Sequence, residues 1–261
     1  MIAIWMLSEL LFTALLGVAA YCGETALRIL GRQTRWPWLI ALGAAVVWPV
    51  SAIIVRHWLS PAGETLALSA RLPSIHVLPS MNATLAPWMD RMNLPLVVLW
   101  VVASVTVCIR VTRALVLLRR IRFAATPRVV DGMSVLVSER MGPAVVGVFA
   151  PRVLLPEALL TLDVPLRRML LQHEEEHCRA RDQWLIIGSM AALTLVPWNL
   201  PLWWIVRRAR LALEIDCDAR VLASGADIGS YARLLLLIAQ RQTVTTLAPM
   251  LSAPTSHLER R

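Results

Sequence analysis

His173 and His177 stand four residues apart in the run His173-Glu174-Glu175-Glu176-His177. On a helix that spacing puts both imidazoles on one face, within reach of a single metal ion. Imidazole nitrogens suit zinc, and Glu174, beside the first of them, is placed to take a proton from a water held there. The bland alternative is a solvated, charged helix face that carries two histidines, since the pattern also arises by chance and both of its middle positions are Glu. Two histidines leave a catalytic zinc site one protein ligand short, the fourth position being kept for water. Leu211-Ala212-Leu213-Glu214-Ile215-Asp216-Cys217-Asp218-Ala219-Arg220 offers the missing donor. Glu214 and Asp218 share a helix face, so one can ligate while the other holds a ligand histidine through its free ring nitrogen. Alternatively both belong to an acidic patch that pairs with Arg207, Arg210 or Arg220. Tyr231 could stabilise an oxyanion, but being one of two tyrosines is its whole support, and it is not counted among the site residues.

What lies between the two motifs decides whether they meet. Residues 184–206 are apolar and nominally long enough to cross a bilayer, which would leave Glu214 on the far side from His173. Pro197-Trp198-Asn199-Leu200-Pro201 interrupts that stretch and leaves arms too short to span. Arg179 and Arg181 precede it and Arg207, Arg208 and Arg210 follow it, so the positive-inside rule puts both flanks on one side. The stretch is read as a helical hairpin that dips into the membrane, or lies on it, and returns.

Composition agrees with a membrane setting. Of 261 residues 57% are hydrophobic, against ~45–50% in soluble domains, and the mean hydropathy is +0.63. The net charge is +9 and every basic residue is Arg. These arginines sit beside apolar runs rather than in one basic stripe, and no helix-turn-helix with a basic recognition helix is visible. Anchoring at a membrane surface fits better than nucleic-acid binding. The four cysteines, Cys22, Cys108, Cys178 and Cys217, form no CxxC pair and do not read as a disulfide framework.

Three spans are expected, over 2–21, 36–55 and 94–118, the first a retained anchor because it has neither a basic leader nor a clear small-residue cleavage site. Glu9 interrupts the first and is expected to face a neighbouring helix or the interface. Arg28, Arg32 and Arg35 crowd the first loop, the loop over 57–93 is poor in Arg, and Arg119-Arg120-Ile121-Arg122 follows the third span. The N-terminus is therefore expected outside and everything after residue 118 in the cytoplasm.

Residues 127–156 change character. Val129-Val130-Asp131-Gly132-Met133-Ser134-Val135-Leu136-Val137 reads as a hairpin with a Gly turn, and 145–149 and 153–155 as two more short strands. Asp163 is expected to cap the helix that carries both histidines, with Pro165 tolerated in its first turn.

Taken together, the HExxH run with Cys178-Arg179-Ala180-Arg181-Asp182, then Trp198-Asn199-Leu200-Pro201-Leu202-Trp203-Trp204, then Glu214-Ile215-Asp216-Cys217-Asp218, resembles the BlaR/MecR family of membrane zinc metallopeptidases. Gly147-Val148-Phe149-Ala150-Pro151 with Val153-Leu154-Leu155-Pro156 resembles the strand segment ahead of that family's helix. The resemblance is specific over 147–222. It implies Glu214 as third zinc ligand and Asp218 as its supporting residue. Glu175 and Glu176 depart from the pattern, which is usually uncharged there. The family's best-known members sense β-lactams and bring about cleavage of a cytoplasmic transcriptional repressor. Those members continue into a further span and an extracellular penicillin-binding domain that these 261 residues do not contain.

The expected fold is thus a mostly α membrane protein. Residues 1–118 form three transmembrane helices with an external loop near 57–93. Residues 119–241 form a cytoplasmic-side α+β zinc metallopeptidase domain with a small β-sheet and the hairpin 184–206. Residues 242–261 form a tail, with Arg261 not fixed as the natural end. The expected activity is that of a zinc metalloendopeptidase in signal transduction or regulated proteolysis at a bacterial-type inner membrane. Zn2+ is held by His173, His177 and Glu214, Glu174 is the catalytic residue and Asp218 supports a ligand. Expected partners are the lipid bilayer and a protein substrate such as a transcriptional repressor. No direct nucleic-acid binding is expected, and a homodimer stays open. The rival from another class is a non-catalytic membrane signalling or scaffold protein with a degenerate site.

Overall fold

Long apolar runs form helices at the start of the chain, and every element described before residue 125 is helical. The computed structural model describes residues 2–59, 79–139 and 141–244, with the backbone alone given for 49–50, 52–59, 79–90 and 240–244. Helix α1 covers Ile2–Ile29, α2 Arg35–Leu59 and α3 Pro79–Ala124. Among the described residues, two stretches, Ile2–Ile29 and Arg91–Ala124, are long and apolar enough to cross a membrane. Their outer faces carry Leu7, Leu11 and Leu15 on α1 and Leu94, Leu99 and Val102 on α3, all exposed, a surface suited to lipid. The expected span 36–55 lies within α2. The external loop expected over 57–93 needs correction, because residues 79–93 belong to α3. Pro79 sits at the helix start, where its missing N–H is no loss, and the residues after it carry the helix into the apolar run. Residues 60–78 and the tail from 245 onward lie outside the described residues.

Four short strands follow: β1 (Thr126–Val130), β2 (Met133–Ser138), β3 (Ala144–Val146) and β4 (Arg152–Pro156). The sheet order is β1-β2-β4-β3, with β2 and β4 parallel and the other pairs antiparallel. Asp131 (φ 49°) and Gly132 (φ 88°) make the two-residue turn between β1 and β2, both in the left-handed region that such hairpins require. The strand expected over 145–149 stops at Val146. Gly147 has φ +99°, and a Cβ there would lie 2.6 Å from both the Ala150 carbonyl and the Arg122 guanidinium, so the chain must turn away.

Helices α4 (Val164–Ala180), α5 (Asp182–Leu195), α6 (Leu200–Ala223) and α7 (Ile228–Val244) follow among the described residues. Val135, Val137, Val153 and Leu155 on one face of the sheet pack on Leu170 and Leu171 of α4, Val221 of α6 and Leu234 of α7. Leu136, Val146 and Leu154 on the other face meet Leu118 and Ile121 near the end of α3. Asp163 occupies the N-cap position of α4 but its side chain makes no capping bond. That turn is instead fixed by Arg167, which donates to Asp131 and to the Leu160 carbonyl.

The stretch 184–206 is broken where its prolines fall, with α5 ending at Leu195 and α6 starting at Leu200. Buried Asn199 accepts from the Leu202 amide at 3.1 Å and from Thr13 Oγ1 of α1 at 2.9 Å. Trp100 of α3 donates to the Leu195 carbonyl at 2.7 Å, and Trp5 of α1 meets Trp198 edge-on at 5.8 Å. These contacts cover the non-helical backbone of the bend with protein. From there α6 runs beside α1, so closely that a Cβ on Gly17 would lie 2.5 Å from the Trp204 ring. It reaches the far end of α1 where Arg208 pairs with buried Glu24 at 2.6 Å. The start of α5, the end of α6 and the α1–α2 loop thereby share one end of the bundle, which brings α6 back to α4.

Candidate metal centre

The two histidines of α4 face the same point. His173 Nε2 and His177 Nε2 are 3.2 Å apart, and Glu214 of α6 approaches both, at 3.9 Å from His173 Nε2 and 3.8 Å from His177 Nε2. Zinc bonds of ~2.0–2.1 Å in a tetrahedron separate neighbouring donors by about 3.3 Å. The histidine pair has that spacing, and Glu214 needs a closure of about half an ångström to match it. The donor chemistry, two imidazoles and a carboxylate, suits zinc.

Each ring is held by its other nitrogen. His177 Nδ1 lies 2.7 Å from Asp182 Oδ2 at the start of α5, and His173 Nδ1 lies 2.8 Å from the Tyr231 hydroxyl on α7. Tyr231 in turn donates to Asp218 at 2.8 Å, which leaves its oxygen to accept the His173 Nδ1–H. Both Nε2 atoms thus face inward, the orientation that outer partners of a metal-binding histidine impose. Asp182 reaches His177 because α4 ends at Arg181, whose φ of 56° is left-handed, and α5 starts at the next residue. Neither Asp182 nor the ring-holding role of Tyr231 was drawn from the sequence. Histidine and aspartate five apart do not share a face of a continuous helix, and Arg181 is not a residue that announces a left-handed stop.

Glu174 is buried beside this pair. Burial pushes its carboxyl up to about 7, with Glu214 adding to the rise and His177 opposing it. For His177 burial disfavours the charged ring, but the Asp182 hydrogen bond, together with Cys217 and Glu214, outweighs it and pushes the ring up to about 11. Buried Cys217, one turn beyond Glu214, is a donor that the sequence reading passed over. Its sulfur and one nitrogen from each histidine lie within 4.8 Å of one another. The thiol stands 3.6 Å from His173 Nδ1 and 3.4 Å from the His173 carbonyl, and burial pushes it up, away from the thiolate that binds metal.

An arginine of that acidic-patch alternative, Arg220, is engaged by Glu176. Glu176 pairs with Arg179 at 2.6 Å and with Arg220 at 2.9 Å, which accounts for one of the two unusual charges on α4. Glu175 is half-exposed and lies 3.5 Å from Arg179.

A family model described as "BlaR1 peptidase M56" matches residues 38–261. The regulatory protein BlaR1 of Bacillus licheniformis is 29% identical over 125 residues, a stretch that covers 46% of this chain and 21% of that protein. No solved structure matches. The match therefore spans about a fifth of that relative's length, but the family model takes in the sheet, both histidines, the hairpin and Glu214. The chain belongs to the BlaR1 peptidase M56 family.

Proposed function

We propose that the chain is a membrane-embedded zinc metalloendopeptidase that cuts a protein segment presented at the cytoplasmic membrane face, within a signalling or regulated-proteolysis pathway. The observation that carries this reading is the convergence of His173 Nε2, His177 Nε2 and Glu214 within 3.2–3.9 Å of one another, with Glu174 buried next to them. His173, His177 and Glu214 hold the zinc. When bound, zinc polarises the scissile carbonyl and acidifies the attacking water. Glu174, buried beside the pair, accepts the proton of that water and passes it to the leaving amine. Asp182 and Tyr231 keep the two rings in one tautomer. The antibiotic response that the family resemblance implies is a candidate pathway for this chain, with a transcriptional repressor as candidate substrate.

Cys217 favours one second reading. If its thiolate joined the other three donors, the site would close around four protein ligands and serve structure rather than catalysis. The raised thiol and the side of His173 that Cys217 approaches argue for the open, catalytic arrangement. The deciding experiment is peptide hydrolysis by the purified chain with one zinc bound. Glu174→Gln keeps the zinc and loses hydrolysis if the site is catalytic. Zinc binding without any cleavage in the unaltered chain supports the structural reading.

A further inference from the structure

The loop between α1 and α2 enters the neighbourhood of the metal centre. Asp216, buried on α6 two residues beyond Glu214, accepts the Thr34 amide at 3.0 Å, the Thr34 hydroxyl at 3.1 Å and the Arg35 amide at 3.2 Å. A ligand-bearing helix is thereby tied to the first turn of a membrane helix. The Arg35 side chain is mostly buried and lies between two aspartates, 3.8 Å from Asp182 Oδ1 and 3.9 Å from Asp216 Oδ2. Asp182 uses its other oxygen to hold His177. Among the described residues, Arg35 Nε and Asp182 Oδ1 are buried without a hydrogen bond. A sub-ångström movement of the loop toward α5 would convert the long ion pair into a bonded one, and the reverse movement would leave Asp182 with His177 as its close partner.

We infer, on the basis of the zinc reading above, that Arg35 is a positioning residue of the metal centre, through which the α1–α2 loop sets the affinity for zinc. Arg35 fixes Asp182, Asp182 fixes the His177 ring, and the ring presents Nε2 to the metal. Because Thr34 adjoins α2 and Arg35 is its first residue, any displacement of the α1–α2 pair along the membrane normal is felt at His177 and, through Asp216, at Glu214. The metal centre is thereby coupled to the membrane helices without a separate sensor contact.

The test titrates zinc into the full chain in detergent micelles against a competing chelator. The unaltered chain binds zinc; no binding would defeat the zinc reading, and this inference with it. Arg35→Gln weakens binding about tenfold, whereas Arg32→Gln, an exposed arginine of the same loop, changes it by less than about twofold. In an Asp182→Asn background the Arg35→Gln change has less than about a twofold effect, because the route it acts through is gone. Should Arg35→Gln lose its cooperative thermal transition, Arg35→Lys decides. It keeps the charge, and if Arg35 acts through Asp182 it loses about threefold in affinity in the natural background but not in the Asp182→Asn background. Native zinc affinity in a folded Arg35 variant, or losses that multiply in the double variant, would overturn the inference while leaving the zinc site standing.

Discussion

Asp182 Oδ2 lies 2.7 Å from His177 Nδ1, although on an unbroken helix residues five apart would point about 140° away from each other. Arg181 makes the meeting possible by taking φ 56° between α4 and α5. For a residue with a Cβ that conformation costs on the order of 1–2 kcal/mol, a cost glycine escapes. Arg181→Gly is therefore expected to keep the junction and to raise the thermal unfolding midpoint or leave it unchanged. Arg181→Val should lower it by an amount equivalent to about 1–2 kcal/mol and weaken zinc binding in parallel. Equal behaviour of the two variants would refute the role given to this turn.

Tyr231 stands between His173 and Asp218, at 2.8 Å from each. Tyr231→Phe and Asp218→Ala should each weaken zinc binding by ~10–100-fold, as removal of an outer partner does. Because both act through the same His173 nitrogen, the double variant should lose little more than the worse single one. Losses that multiply would show that Asp218 acts on the metal by another path.

The hairpin predicts a topology. With the four natural cysteines replaced, single cysteines placed beside Arg181 and beside Arg208 should both react from the cytoplasmic face and both be shielded from outside. Replacing Pro197 and Pro201 with Leu restores two amide donors and favours one continuous helix, so that variant should lose zinc with every ligand still present. External labelling beside Arg208 in the natural sequence contradicts the hairpin.

The turn between β1 and β2 is tied to α4 by the Asp131–Arg167 pair at 2.7 Å. Arg167 holds the Asp131 carboxyl below its ordinary value of 3.8 by hydrogen bonding, with its charge adding to the effect. A carboxyl depressed in the folded state lends stability that is fully present above its unfolded value and is lost as pH falls through the folded one. Asp131→Asn should thus lower the unfolding midpoint at pH 6 and converge with the natural chain as pH drops below about 3.8. An unchanged gap between the two at low pH would show that the pair contributes nothing through ionisation.

The pair His173 and His177, the glycine turn at Asp131-Gly132 and the break at Pro197 were legible because each depends on spacing or on a residue with restricted backbone geometry. Glu214 was legible by its place on α6, once the break returned that helix to α4. What the sequence concealed depends on tertiary approach. Asp182 needs an unannounced left-handed arginine, Tyr231 arrives from α7, and Arg35 from the start of α2, far back in the chain. The helix over 79–93 was not legible, because it lies ahead of the apolar run that starts at Leu94 and carries no apolar span of its own. Asp163 had the right position for a cap, but Arg167 secures that turn from the opposite direction.

Glu214 is expected to complete a metal site with His173 and His177, leaving one position open. The most direct measurement is zinc per chain in the purified natural protein, Glu214→Ala and Cys217→Ser. About one zinc is expected in the natural chain, none in Glu214→Ala and about one in Cys217→Ser. Full occupancy in Glu214→Ala with an empty Cys217→Ser would contradict that expectation, and would assign the third ligand to the cysteine.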